Sequence, residues 1–508
     1  MSSLVNVDPW DREGHSKHVE RTERSGRMPE ANNELSSKKY PVGQAPFQSL
    51  PPELLVNIFT LCKDSSSDAI VFPLTFGQIC TYFRNVVHNS PSLWTTVELH
   101  LSNPEKTPLV GASLEKWAVR TGALPIDLTI TVPESVPIHP TDVFFKDIVS
   151  PLQAKLKSLS INVVDVVHLF ALGWLPSVFP LLEAVTIRLL KSEDISFIER
   201  RFINFHGVCV NLENCPRLRR FSLLHPPDPA VAGVMASGII ALPYTQLTSL
   251  SISAGLRIIP LLLQHCTQLV DFRLVLEDER PWLSLPSGET ELVQKTIRRL
   301  EITCCHPVMH PFFLQFSFPA LEHLKLRDTG LFSCGYRTKT MGSILTMVLQ
   351  DAPFRLKHLG VELKGVCRDP RHLFPPLAYT PHLTHVEFKN CGFLNHPGFR
   401  GFSDLICGTS SKLEDLRSIS FDDQVVSVGY GKILDIANLC VDSGIQPRLT
   451  DIRVCFRILR SNARDPTPIV DHRIRELRRR GLKLEISVEC DSPVVESSSE
   501  GSGTLSDD

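Results

Sequence analysis

The chain has no uninterrupted apolar run that approaches membrane-spanning length. Its richest stretch, residues 163–179, is broken by Asp165, His168 and Pro176. It has no dominant charge either: 53 basic against 55 acidic residues leave a net −2, so no global field argues for nucleic acid or a membrane surface. The 14 cysteines form no C-x-x-C pair and no regular framework; several, such as Cys62, Cys80, Cys209 and Cys455, stand in apolar runs as buried free thiols do. That points to a reducing compartment. The first residues, MSSLVNVDPWDREGHSKHVERTER, contain no apolar core of a signal peptide. A soluble protein of the cytoplasm and/or nucleus is the expectation.

Catalytic signatures are missing as well. There is no G-x-S-x-G, no G-x-x-x-x-G-K-[ST], no H-E-x-x-H and no G-x-G-x-x-G after a strand. Two groupings of soft ligands were weighed as metal sites: Cys304-Cys305-His306 with His310, and His382, His385, Cys391 with His396. Neither has paired spacing that converges on four ligands. Cys304 and Cys305, adjacent on a strand, point to opposite faces, and His382 and His385 stand at an odd offset. No catalytic residue, metal ligand or cofactor site is assigned.

What is present begins at Leu50. Leu50-Pro51-Pro52-Glu53 is a helix start: proline's missing N–H has no partner in a first turn, and an early acid suits the helix dipole. Leu54, Leu55, Ile58, Phe59 and Leu61 follow at helical spacing. A polar break at residues 63–68 precedes a second apolar series of Leu74, Ile79, Cys80, Phe83, Val86 and Val87. Ser90-Pro91 ends that series, and Ser92-Leu93-Trp94 begins a strand-like run through Val97, Leu99 and Leu101. Three short helices of this kind have little core of their own and tend to finish their burial against a partner. The other reading of the same apolar residues is the core of an ordinary helical cap.

Beyond residue 124 one small pattern recurs: apolar, two variable positions, apolar, one variable, apolar. The copies start at Leu156, Leu182, Leu218, Leu247, Leu269, Ile297, Leu321, Leu356, Leu383, Leu416 and Leu449. Phe179-Pro180, Cys215-Pro216, Phe318-Pro319 and Thr380-Pro381 stand just ahead of four of them. Each copy is a short strand with alternate apolar residues facing in, and stacked copies make a parallel sheet. Helical patterns connect them, as at residues 258–266, 343–350 and 433–441. An ordinary α/β domain with similar strands is the alternative. The last element reads as a helix over 469–480, a C-cap at Gly481 and a strand over 482–488. The segments 1–46 and 491–508, the latter acidic and Ser/Gly-rich, read as disordered tails.

The ordered stretches LPPELLVNIF, ICTYFRNVV and SPSLW resemble an F-box of the fungal (basidiomycete-like) type, over about a tenth of the chain. The match extends through WAVRTGALPIDLTI, residues 117–130, which is similar to a junction segment common in that family. The resemblance implies docking of a Skp1-type adaptor, and through it a cullin. By motif position Leu50, Pro51, Leu54, Leu55, Ile58 and Phe59 would lie at or beside the adaptor surface, completed by Ile79, Cys80, Phe83, Leu93 and Trp94. The family usually carries Trp where this chain has Phe83, which keeps the apolar area and loses the indole N–H.

The expected fold class is therefore α/β. An F-box (47–101) and a linking helix (102–123) would precede an irregular leucine-rich-repeat solenoid (124–490). The expected function is substrate recognition in a Skp1–cullin–F-box ubiquitin ligase, non-catalytic in itself, with an unknown target protein held on the strands or on loops such as 225–233 and 277–289. Two alternatives stand beside it: an adaptor-independent leucine-rich scaffold with a vestigial F-box, and a catalytic α/β protein with an unrecognised site.

Overall fold

The computed structural model describes residues 50–64, 72–101, 107–133, 144–163, 178–189, 210–224, 240–256, 258–276, 292–304, 306–328, 337–350, 355–363, 370–391, 415–424, 450–459 and 468–491, with Leu175, Leu413, Leu434 and Asn438. The two tails, nearly all of the 433–441 helical pattern, and the loops 225–233 and 277–289 lie outside the described residues. The chain divides at Pro51, and Pro52–Asp508 is one compact unit.

The protein is α/β, with one large parallel sheet. Fourteen strands pair in chain order, each parallel to the next. They are β1 (Thr96–His100), β2 (Ile126–Thr131), β3 (Leu156–Val163), β4 (Ala184–Leu189) and β5 (Arg220–Leu224). Next come β6 (Ser249–Ala254), β7 (Asp271–Leu276), β8 (Arg299–Cys304), β9 (His323–Asp328) and β10 (His358–Leu363). The last four are β11 (His385–Lys389), β12 (Ser418–Gln424), β13 (Asp451–Leu459) and β14 (Lys483–Asp491).

The second and third positions of all eleven apolar triplets fall on β3–β13, and the leading Leu449 lies outside the described residues. Alternate residues of a strand share a face, so the second and third apolar positions point the same way. From Leu159 and Ile161 in β3 to Ile419 and Phe421 in β12, both are buried in every copy. The leading residue stands at an odd offset and would face outward in a continuous strand. It does not, because the strand begins two residues later and the leading residue closes a turn. Leu218 N–H donates to Cys215 O, Leu321 to Phe318 and Leu383 to Thr380, at 3.1, 3.0 and 3.1 Å. The prolines ahead of these leucines occupy the second position of that turn, which a fixed φ suits. In β3, which starts at Leu156 itself, a one-residue register shift against β2 has the same effect. All ten described leading residues are buried.

Helices join many of the strands: α5 (Phe144–Val149), α6 (Ile259–His265), α7 (His306–Gln315), α8 (Arg337–Gln350) and α9 (Pro468–Arg479). Gly342 of α8 lets the helix meet the backbone of the next turn, where a Cβ would stand 2.2 Å from His372 O. Gly481, at φ +94°, ends α9 ahead of β14.

Four helices precede or border the first strands: α1 (Pro52–Asp64), α2 (Phe72–Ile79), α3 (Thr81–His88) and α4 (Thr107–Arg120). The apolar series from Leu74 to Val87 is two helices and not one. Cys80 between them is extended (φ −156°, ψ 167°), and its Sγ accepts the Phe83 N–H at 3.4 Å as an N-cap. Pro91–Trp94 is a single 3₁₀ turn where the sequence pattern suggested the start of a strand; proline fixes the first φ of that turn. Strand β1 follows and pairs with β2 over five residues, so the helical module and the repeats share one sheet.

Phe272 is fully buried at the second apolar position of β7. Phe272→Ala is expected to destabilise the protein by about 3–5 kcal/mol, the usual cost of removing a core phenylalanine. A urea titration followed by circular dichroism should show the transition midpoint moving down by the corresponding amount.

Candidate functional site

Two surfaces merit attention, one on the helices and one on the sheet. Helix α1 has two faces. Leu55 and Phe59, four residues apart, are 1% and 2% exposed. Phe59 packs on Phe76 (ring centroids 4.3 Å apart) and edge-on against Phe83 (5.3 Å). Leu54, Ile58 and Leu61 follow the same helical period on the other face and are 49%, 40% and 69% exposed. Ile79, at the end of α2, is 60% exposed.

The eleven residues singled out from sequence therefore divide. Pro51, Leu54, Ile58 and Ile79 face solvent, Leu50 and Cys80 are half-buried, and Leu55, Phe59, Phe83, Leu93 and Trp94 are interior. Trp94 is fully enclosed: its Nε1–H donates to Val87 O at 2.8 Å, and the Trp117 indole donates to Trp94 O at 2.5 Å. The two rings meet edge-on at 4.7 Å, with the Arg120 guanidinium 4.5 Å over the Trp94 ring. Burial of an indole asks for a partner to its N–H, and both tryptophans have one.

The second surface is the polar face of the sheet. The residue two places after each leading position starts a strand, and those residues align in one row: Asp271, Arg299, His323, His358, His385, Ser418 and Asp451. Three successive members are histidines, and their rings stack. His323 and His358 are 4.0 Å apart and inclined by 10°; His358 and His385 are 4.2 Å apart and inclined by 17°. Burial, followed by neighbouring charges, holds all three below the ordinary histidine range, and His358 falls to about 4. At neutral pH the stack is uncharged.

The next row, two residues on, is built of ion pairs. Arg273 meets Glu301 at 3.6 Å, and Lys325 meets Glu387 at 3.0 Å. Lys325 and Glu387 are two strands apart, with Gly360 between them in register. A Cβ at Gly360 would lie 3.1 Å from the Lys325 Cγ, so the missing side chain is what lets the pair form. The two rows border an open groove of ≈ 490 Å³ lined by His323, His358, His385, Gly360, Ser418 and Ser420 among others.

Of the residues considered as metal ligands, His382, His385 and Cys391 each have other partners. His382 pairs with Asp415 at 3.2 Å and His385 belongs to the stack. The Cys391 Sγ–H lies against Lys389 O and Val361 O in the interior. Cys305 and His396 lie outside the described residues. Among the described residues no cluster of three or more His, Cys, Asp or Glu could hold a metal ion. Burial pushes the Cys266 thiol up to about 12, the reverse of an activated nucleophile. No described helix is long and apolar enough to cross a membrane.

Sequence reasoning considered His385 only with His382, Cys391 and His396, and passed over His323 and His358. The signal was there: each stands two residues after a leading leucine (Leu321, Leu356, Leu383) in three successive copies. Aligning the copies by column would have shown it. No family model matches the chain, and no curated protein matches it.

A base whose native pKa is depressed contributes stability above its unfolded value and loses it as pH falls through the native value. For His358 that window runs from about 6.5 down to about 4. The melting temperature of the wild type should fall more steeply between pH 6.5 and pH 4 than that of His358→Gln. Equal slopes in differential scanning fluorimetry would show that the stack carries no such linkage.

Proposed function

We propose that the chain is the substrate-recognition subunit of a Skp1–cullin–F-box type ubiquitin ligase. In this reading α1–α3 are an F-box that docks a Skp1-type adaptor, and β3–β14 with their connecting helices are an irregular leucine-rich-repeat solenoid that holds a target protein. The mechanism is positional: transfer chemistry belongs to other subunits, and this one raises the effective concentration of a target lysine near it. Work in the cytoplasm or nucleus would suit the buried, reduced thiols of Cys215, Cys266, Cys304 and Cys391.

The observation that supports this most is the division of α1. A helix that has already packed Leu55 and Phe59 into its own core still presents Leu54, Ile58 and Leu61 to water. Covering such side chains gains about 1.5–3 kcal/mol each when burial is complete. The burial of Leu55, Phe59, Phe83, Leu93 and Trp94 favours a second reading, an adaptor-independent leucine-rich scaffold with a vestigial F-box. For those five the structural role is already sufficient.

Retention of the native chain on an immobilised Skp1-type adaptor separates the two. The double variant Leu54→Asp with Ile58→Asp should weaken binding by about 100-fold or more, because unpaired carboxylates would enter an apolar contact. Its circular dichroism spectrum should stay that of the wild type, since both side chains are exposed. Failure of the native chain to bind, where a known F-box protein is retained, would leave the scaffold reading.

A further inference from the structure

The histidine stack stands among basic residues at the strand entries. Over the five strands β8–β12, the two residues at each strand entry are Arg298-Arg299, Glu322-His323, Lys357-His358, Thr384-His385 and Arg417-Ser418. Four basic side chains stand there against the one carboxylate of Glu322. Glu322 is shared between Arg298 at 3.5 Å and Lys357 at 3.0 Å. Among the described residues Arg299 and Arg417 have no ion-pair partner, and both are exposed. Arg299 is in register with His323, and Arg417 immediately precedes Ser418, which is in register with His385. The stack is thus bracketed by two unpaired guanidinium groups.

The carboxylates around this row are already engaged. Asp271 and Asp451, the acids on the flanking strands, each meet an arginine of their own strand, Arg273 at 3.8 Å and Arg453 at 3.2 Å. Glu301 lies between Arg273 and Arg327, and Glu387 between Lys325 and Lys389. Beyond its paired side chains the groove offers a ligand the Arg299 guanidinium, three imidazole edges and the hydroxyls of Ser418 and Ser420, and Arg417, which is not one of the lining residues, adds a second guanidinium next to Ser418.

We propose that this row is the docking site for an acidic segment of a partner protein, its Asp and Glu carboxylates spanning from Arg299 across the histidine stack to Arg417. The assignment rests on the reading of the sheet as the target-holding part, and it names the chemistry of that target. Two consequences follow. The flat, delocalised guanidiniums can take a carboxylate with two parallel hydrogen bonds, which fixes the segment across the strands. An anion over the stack also favours its protonated form, so binding takes up protons and tightens as pH falls. Beside burial, most of the charged groups facing the stack oppose protonation in the free protein: Arg299 and Lys357 act on His323 and on His358, and Arg417 on His385, while Glu322 acts the other way on His323 and Asp451 on His385.

The test is fluorescence polarisation of a labelled decapeptide of alternating glutamate and glycine against the full chain at low salt. Binding should tighten by about five-fold or more between pH 7.5 and pH 5.5, in keeping with proton uptake by more than one histidine. Arg299→Ala with Arg417→Ala should weaken it about ten-fold at pH 7.5, the sum of two exposed charge contacts. His323→Gln with His385→Gln should keep binding at pH 7.5 and flatten its pH dependence. Equal binding of a lysine–glycine peptide, or wild-type affinity in the double arginine variant, would overturn the proposal. Binding only of a phosphoserine–glycine peptide would overturn the choice of carboxylate. The probe needs no adaptor, and the double arginine variant should be retained on the Skp1-type adaptor like the wild type. Loss of peptide binding alone would count against this site, and loss of adaptor binding by the native chain against the ligase reading.

Discussion

One backbone carbonyl per strand sets the geometry of the sheet. From β4 to β12 the carbonyl just before each strand accepts two N–H groups at the entry of the next strand. Arg298 O takes Glu322 and His323, Glu322 O takes Lys357 and His358, and Lys357 O takes Thr384 and His385, all at 2.8–3.0 Å. Parallel strands carry evenly spaced, slanted bonds, and register could slip by two residues with no change of face. A shared acceptor at the entry removes that freedom. Every strand then starts level with its neighbour, and equal positions of the repeat line up across the sheet.

Both faces follow from that alignment. On the covered face three apolar residues per strand form continuous ridges, and burial of a leucine or phenylalanine is worth about 1.5–3 kcal/mol. On the open face alignment brings unlike residues into rows, with larger consequences for function. Histidines from three strands stack because nothing offsets them. Lysine and glutamate from β9 and β11 reach one another because β10 contributes a glycine at the same level. Single surface ion pairs contribute about 0–1 kcal/mol, so these rows matter less for stability than for the chemistry they display.

The parallel sheet was legible in the sequence because its signal is a repeat: eleven triplets, several announced by a turn proline. The content of the open face was not, since the variable positions of the repeat obey no apolar rule and gain meaning only when read as columns. The helical module was legible in its ends and not in its interior. A stripe of Leu54, Leu55, Ile58, Phe59 and Leu61 covers nearly half a helix's circumference, about 160° at 100° per residue, and periodicity cannot tell which edge turns inward. Phe76 and Phe83 settle that by packing on Phe59. The break at Cys80 escaped notice because a thiol is a weak cap, unlike the serine or aspartate that usually marks one. Trp94 was expected at the adaptor surface by its position in the motif; its size makes it the centre of the junction.

That junction bears on how the molecule would act. A subunit that works by placing a target gains little from a hinge between what it docks on and what it holds. Here the chain leaves α3 through the Trp94 turn, enters β1, and β1 is already an edge of the sheet that carries the histidine row. Helix α4 closes over this turn through Trp117 and Arg120. The same C-terminal end is tied down by Lys155 of the β3 entry, whose ammonium donates to Ala118 O and Gly122 O at 2.6 Å each. A cation there also suits the negative end of the helix dipole. The exposed stripe of α1 and the open face of the sheet are thus joined through packed indoles, a capped helix and a strand ladder, none of which can bend without losing buried contacts. The sequence pattern suggested a linking helix between two parts; the contacts of Trp94, Trp117, Arg120 and Lys155 make it a brace.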